Sequence, residues 1–396
     1  MQIANRVNRL GTENAFNVIA EVIKLQDKGK NVINFCPGEP DFPTPDNIKN
    51  AAFKAIKNNQ THYCPSAGLT RLREEIAKYI SKTRNIKTEM DEVVVTPGAK
   101  PIVYHTLFAL INNGDEVIYP NPGFAIYNSV INFVGGKGIP LPLLESKNFS
   151  LDVDYLNKIV APKTKMIILN SPHNPTGGIL SKSDLEGIAE IALKNDLWIL
   201  SDEIYSKIIY DGKFNSIASI PGMKERTIIM DGFSKTYAMT GWRIGYGVMN
   251  KNLSEIISRI IINSESCTAT FTQIAAIEAL TGPQTEEEKM VKEYRERRDI
   301  IVNGLNEIEG ITCLTPRGAF YAFPNITKIC RKLNLKSAYE FQELLLKECY
   351  VASLARTAFG PKYPGEKQEY IRLSFTVSKE DIKEGIRRIK KFIERK

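Results

Sequence analysis

The sequence predicts an α/β fold: a large doubly wound sheet wrapped by helices, followed by a smaller α+β unit. Three observations predict it. Between Glu92 and Ser234 the short apolar runs VVVT, EVIY, MIILN, LWILS and TIIM alternate with segments of helical character, the signature of a parallel sheet covered by helices. Beyond Thr285 a long charged helical stretch gives way to three more strand-like runs with helices between them, a different order of elements. A length of 396 residues suits two domains.

Taken in order, Phe16, Ile19, Ala20 and Ile23 recur at helical spacing within Thr12–Lys28, and Gly29 supplies a stop. VINF and the stiff loop CPGEPDFPTP lead into a helix over Pro45–Asn58, whose Pro and Asp favour initiation. LTRLREEIAKYISKTR reads as a third amphipathic helix. After the five apolar runs, GYGVM reads as one more strand, followed by helices near Ser254–Ser264 and Thr272–Ala279 and a charged helix from Thr285 to Ile308. AFYAF, YVASL and YIRLSF are expected as strands, Ala338–Lys347 and Lys379–Glu394 as helices.

Composition is that of an ordinary globular chain, with 43% hydrophobic and 25% charged residues. The formal charge of +8 comes from Lys and Arg dispersed among Asp and Glu, so no nucleic-acid partner is expected. Six cysteines, at 36, 64, 267, 313, 330 and 349, form no CxxC pair and no ligand spacing with the three histidines, which signals neither metal nor disulfide framework. No window approaches the roughly 20 apolar residues of a membrane span, and MQIANRVNRLGTEN has no apolar signal core. The reading expects a soluble cytoplasmic protein.

Four stations after apolar runs carry the chemistry. In DGFSKTYAMTGWRIGYG, Lys235 follows a strand and Arg243 lies eight residues on; an amine there can join a carbonyl cofactor and a guanidinium fork suits a phosphate, which together point to pyridoxal 5′-phosphate (PLP). In VVVTPGAKP, Gly98, Ala99 and Lys100 open a helix whose free N–H groups can hold that phosphate. In LNSPHNPTGG, Asn174 offers an amide to a phenolate oxygen. In LSDEIYSK, Asp202 ends a buried run and can keep a pyridine nitrogen protonated, with Tyr205 three residues on. Each station alone has an ordinary reading as turn, cap, ion pair or solvated surface.

Together these stations resemble the class I/II, fold-type I PLP-dependent aminotransferases, close to the aspartate aminotransferase branch. The resemblance spans nearly the whole chain through GEPDF, YCPSAGLTRLREEIA, TPGAK, PNPGF, SPHNPTG, SDEIY, SKTYAMTGWRIG, RGAFYAF and YIRLSF. It implies a large PLP-binding domain over 45–284, with a mixed sheet, and a small domain built from 1–44 and 285–396. It implies Lys235 as the residue that holds the cofactor and shuttles the proton, Asp202 as partner of its ring nitrogen, and Tyr205 and Asn174 as holders of its phenolate oxygen. Phe124 matches an aromatic stacked on the ring; the Gly98–Ala99–Lys100 backbone, Arg243 and Tyr63 of a second subunit match phosphate contacts. Arg372 matches the clamp on the substrate α-carboxylate, and Gly38 a glycine lying over the substrate.

The resemblance implies a homodimer that exchanges amino groups between amino acids and 2-oxo acids, with aspartate or glutamate favoured as donor. Two departures stand out. The serine that the family often carries three residues before the lysine is Gly232 here. Lys100 matches a receptor for a distal substrate carboxylate, yet the N-terminal arm carries the acidic Glu13, a residue able to neutralise Lys100 or to meet a cationic side chain. Two alternatives share the scaffold: a PLP-dependent C–S β-lyase, since Pro-His-Asn-Pro also occurs there, and a PLP-binding regulatory domain.

Overall fold

The computed structural model of the chain describes residues 2–11 and 15–396. Its strands among the described residues are β1 (Ile33–Asn34), β2 (Val93–Thr96), β3 (Glu116–Asn121), β4 (Lys137–Pro142), β5 (Thr164–Asn170), β6 (Trp198–Asp202), β7 (Thr227–Gly232), β8 (Gly245–Val248), β9 (Tyr321–Ala322), β10 (Val351–Ala352), β11 (Leu354–Ala355) and β12 (Ile371–Ser374). Seven of them form one sheet in the order β2-β8-β7-β6-β5-β3-β4. Only β8 runs antiparallel to its neighbours; the other pairings are parallel.

That arrangement explains the unbroken apolar runs. β2 and β7 are buried along their whole length, as expected where helices cover both faces of a parallel sheet. It also brings the carboxyl ends of β2, β3, β5, β6 and β7, namely Thr96, Asn121, Asn170, Asp202 and Gly232, to one rim. β8 begins at that rim with Gly245, opposite Gly232. Ligands of doubly wound sheets collect on such a rim.

The expected helices are present with shifted ends, as Ala15–Asp27, Asp46–Lys57, Thr70–Arg84, Lys251–Ser264, Thr270–Thr281, Thr285–Asn306 and Lys379–Arg395. The helix expected over Ala338–Lys347 is α-helical to Leu344 and then widens into a π turn over Leu345–Cys349, closed by Tyr350 at φ +54. YVASL is two strands, not one: β10 pairs in parallel with β1, β11 antiparallel with β12, and the buried Ser353 changes sheets between them. β4 was not anticipated, because Pro140 and Pro142 argue against a strand. It lies at the sheet edge, where missing N–H donors are tolerated.

The segment before the large sheet meets the C-terminal part directly. Phe35 N–H donates to Ala352 O at 3.0 Å and Ser374 N–H to Phe35 O at 2.9 Å. The CPGEPDF loop that follows is thereby held over the rim.

Candidate active site

Each functional side chain is placed by a strand end. Beyond β2, Gly98 turns at φ +89, and Ala99 caps the helix Lys100–Leu110. That left-handed turn favours a glycine, and a Cβ there would also press on the guanidinium of Arg243. Arg243 donates to Thr240 O at 2.9 Å and to Pro97 O at 3.4 Å, and this exposed guanidinium lies against the Gly98 turn that opens the helix. Helix terminus and guanidinium add into one anion site. Gly245 fits beneath, since a Cβ there would come within 2.4 Å of Ala99 N.

Asp202, at the end of β6, is buried. Its Oδ2 accepts from Tyr127 Oη at 2.5 Å and its Oδ1 from Ile204 N–H at 3.2 Å. Burial pushes its carboxyl up to about 7, helped by Asp231 and Glu203, while the two donors act the other way. Such a carboxylate favours a cationic partner. Lys235, three residues past β7, donates from Nζ to Gly38 O at 2.5 Å. Burial, with the nearby Arg372 and Arg243 guanidinium groups, draws its ammonium down to about 8 against the pull of Glu39 and Asp202. The shift enlarges the neutral fraction near physiological pH, and the neutral amine is the form that attacks a carbonyl and accepts a proton.

Arg372, on β12, reaches the rim from the C-terminal part. Its guanidinium lies over the rings of Tyr321 and Phe359, with centroids 4.4 and 5.0 Å away. Nη1 donates to Asn174 Oδ1 at 3.1 Å and Nη2 to Cys36 O at 2.5 Å. Its Nε is buried and has no partner among the described residues. The Asn174 backbone is itself fixed, since its N–H donates to Asn170 Oδ1 at 2.9 Å. Tyr205 and Tyr321 share a hydrogen bond between their hydroxyls at 2.7 Å. A Cβ on Gly38 would lie 2.7 Å from Tyr321 Oη, which explains a glycine where the loop passes over the site.

The profile of the aminotransferase class I and II family matches residues 30–389. The chain belongs to that family. Among its relatives, a protein of Aquifex aeolicus described as a probable aspartate/prephenate aminotransferase is 38% identical, over 99% of this chain and 98% of its own length. An aromatic-amino-acid aminotransferase of Thermococcus litoralis is 39% identical, over 95% and 96%. The crystal structure of the Rhizobium meliloti aspartate aminotransferase superposes with a TM-score of 0.94 at 33% identity, covering 100% of this chain and 99% of that one. The fold is thus that of fold-type I aminotransferases, and the chain is an aminotransferase of the family that uses PLP.

The residues present fit that cofactor. An anion site beside Gly98, a lysine amine with lowered proton affinity and a buried carboxylate lie on one rim, and Arg372 joins them through Asn174 while its buried Nε has no partner among the described residues. The structure groups Gly38, Asn174, Tyr205, Lys235 and Arg372 through direct contacts. Lys100 places Nζ 5.2 Å from the Phe124 ring centroid. Tyr63 is 90% exposed, outside its own chain's cluster. Glu13 lies outside the described residues.

Gly232 receives a physical reason. A Cβ there would sit 2.9 Å from Gly245 Cα, so these strands approach too closely for a serine. Buried Ser234, one residue before the lysine, remains as a hydroxyl near that end of the site. Two partners escaped the sequence reading. Tyr127, one helical turn after Phe124, shows only as an aromatic in an apolar stretch, although a buried tyrosine needs a partner. Tyr321 stands inside RGAFYAF, but nothing local announces that its ring supports Arg372.

Proposed function

We propose that this aminotransferase moves the amino group of a dicarboxylic L-amino acid, aspartate or glutamate, to a 2-oxo acid such as 2-oxoglutarate in a ping-pong sequence. The observation that carries the reading is the buried Arg372 guanidinium, which meets no carboxylate among the described residues and whose Nε has no partner there. A buried charged donor without an acceptor is costly, and an α-carboxylate supplies the acceptor in fork geometry. The exposed ammonium of Lys100 is the second cation, for the distal carboxylate. The names of the Aquifex and Rhizobium proteins agree with an acidic donor.

Bound PLP supplies an electron sink for the electron pair left when the substrate Cα–H bond breaks. The chain does the rest. Arg372 and Asn174 orient the substrate, and the neutral form of Lys235 takes and gives back the substrate proton at Nζ. Asp202, held by Tyr127, would keep a proton on the ring nitrogen of the bound cofactor. Tyr205 and Asn174 would hold its phenolate oxygen, Phe124 its ring, and Arg243 with the Gly98–Ala99–Lys100 amides its phosphate. Gly38 closes the site from above, and Glu13 bears on the choice of donor.

Tyr63, exposed in its own chain, fits a phosphate contact in a partner subunit, hence a homodimer with shared sites. The proposed domains are 45–284 and 1–44 with 285–396, supported by the pairing of β1 with β10. Among the described residues no helix is long and apolar enough to cross a membrane, which accords with a cytoplasmic enzyme. A half-reaction screen tests the reading: yellow holoenzyme is mixed with single amino acids and loss of its absorbance is followed. Aspartate and glutamate are expected to react fastest. Faster reaction with aromatic or cationic amino acids would refute the donor assignment, and pyruvate release without an acceptor would indicate C–S lysis.

A further inference from the structure

On the face of the sheet opposite Tyr127 lies a buried ionic cluster that the mechanism above does not use. Arg84, the last residue of the helix Thr70–Arg84, donates from Nε to Glu203 Oε2 and from Nη2 to Asp231 Oδ2, each at 2.7 Å, and from Nη2 to Ser206 Oγ at 2.8 Å. Ser201 and Ser216 hydroxyls donate to Glu203 Oε1 at 2.9 and 2.6 Å. Gly232 N–H donates to Asp231 Oδ1 at 2.7 Å. Phe214 covers the guanidinium, its centroid 4.8 Å from Cζ. All three charged side chains are buried.

The two carboxylates are neighbours of the reacting groups. Glu203 follows Asp202 directly, and Asp231 lies four residues before Lys235. Asp202 pairs across the sheet with Met230, so the next residues, Glu203 and Asp231, point together to the opposite face. The Asp202–Glu203 peptide is therefore gripped from both sides, by Tyr127 on one face and Arg84 on the other. One guanidinium faces two carboxylates, which leaves a negative charge behind the site when both are ionised.

We propose that Arg84 is a positioning residue: through Glu203 and Asp231 it locks the carboxyl ends of β6 and β7, and thus Asp202 and Lys235, and it limits the negative charge felt by Asp202. The proposal rests on the reading of Asp202 as ring-nitrogen partner. The groups facing Asp202 are Tyr127, Tyr205, Lys235, Glu203 and Asp231. Loss of the Arg84 charge leaves two unpaired carboxylates beside it, which raises its proton affinity. Loss of the Asp231 charge lowers it.

The test is PLP affinity of the full chain, measured by fluorescence titration across pH for wild type, Arg84→Met, Asp231→Asn and the double variant. Affinity falls where Asp202 takes up a proton. In Arg84→Met this midpoint is expected about one pH unit higher, with affinity at neutral pH down about tenfold. Asp231→Asn is expected to move it lower, and the double variant to return it toward wild type. A folded Arg84→Met with lower thermal stability but the wild-type midpoint and affinity would make the cluster a plain scaffold and overturn the proposal. If Arg84→Met does not fold, an unchanged midpoint in Asp231→Asn overturns it alone. Asp202→Asn serves as the control: an unaltered affinity there would refute the ring-nitrogen assignment itself.

Discussion

Arg84 and Arg372 are equally hidden, at 3% and 4% exposure, yet they do opposite things. Arg84 donates to two carboxylates and two hydroxyls within the chain. Among the described residues Arg372 meets a carbonyl, an amide oxygen and two aromatic rings but no carboxylate, and its Nε has no acceptor. A buried cation lacking its anion is unstable in isolation, which supports the proposal that Arg372 receives a carboxylate from outside. Burial alone does not mark a binding arginine; the missing counter-ion does.

The comparison can be broken in several ways, starting with the chemistry beside it. Lys235→Ala is expected to lower turnover by about 10³-fold or more with an unchanged fold by circular dichroism, and to leave binding of a substrate carboxylate to Arg372 in place. Near wild-type turnover would remove Lys235 from its role. Arg372→Met is expected to raise KM for amino acids about 100-fold, the loss of charge-assisted hydrogen bonds, with a smaller change in kcat. An unchanged KM would mean that another cation holds the substrate.

Tyr127→Phe removes a donor that holds the Asp202 carboxyl down. Its proton affinity should rise further, and PLP affinity at neutral pH should fall about tenfold. The pH dependence of cofactor loading sharpens the picture of Lys235. Its amine titrates near 8 in the free chain, so the loading rate should climb with pH below about 8 and level off above it. A rate that is flat between pH 6 and about 8 would show an amine already neutral. The smallest effect is expected for Gly232→Ser, which forces β7 and β8 apart and costs about 1–3 kcal/mol of stability without tightening PLP.

Much of this was legible in the sequence, for a physical reason. In a doubly wound sheet a short apolar run fixes where a strand ends, and the polar residue that follows falls on the ligand rim, as with Asp202, Asn174 and Lys235. Long amphipathic helices were equally readable. What was not legible depends on contacts distant in sequence: Arg84 meets Glu203 across 119 residues, and Tyr127 meets Asp202 across 75. Nor does local pattern show that YVASL changes sheets at Ser353, or that two prolines are harmless in β4 at an edge. Nor does it show that Gly232, at the position where the family often carries a serine, faces Gly245 too closely for a side chain.

Calorimetric titration of the holoenzyme with succinate, an unreactive dicarboxylate, reads whether the buried Arg372 guanidinium takes a substrate carboxylate. The account predicts that Arg372→Met weakens this binding about 100-fold. Binding within about twofold of wild type would contradict it.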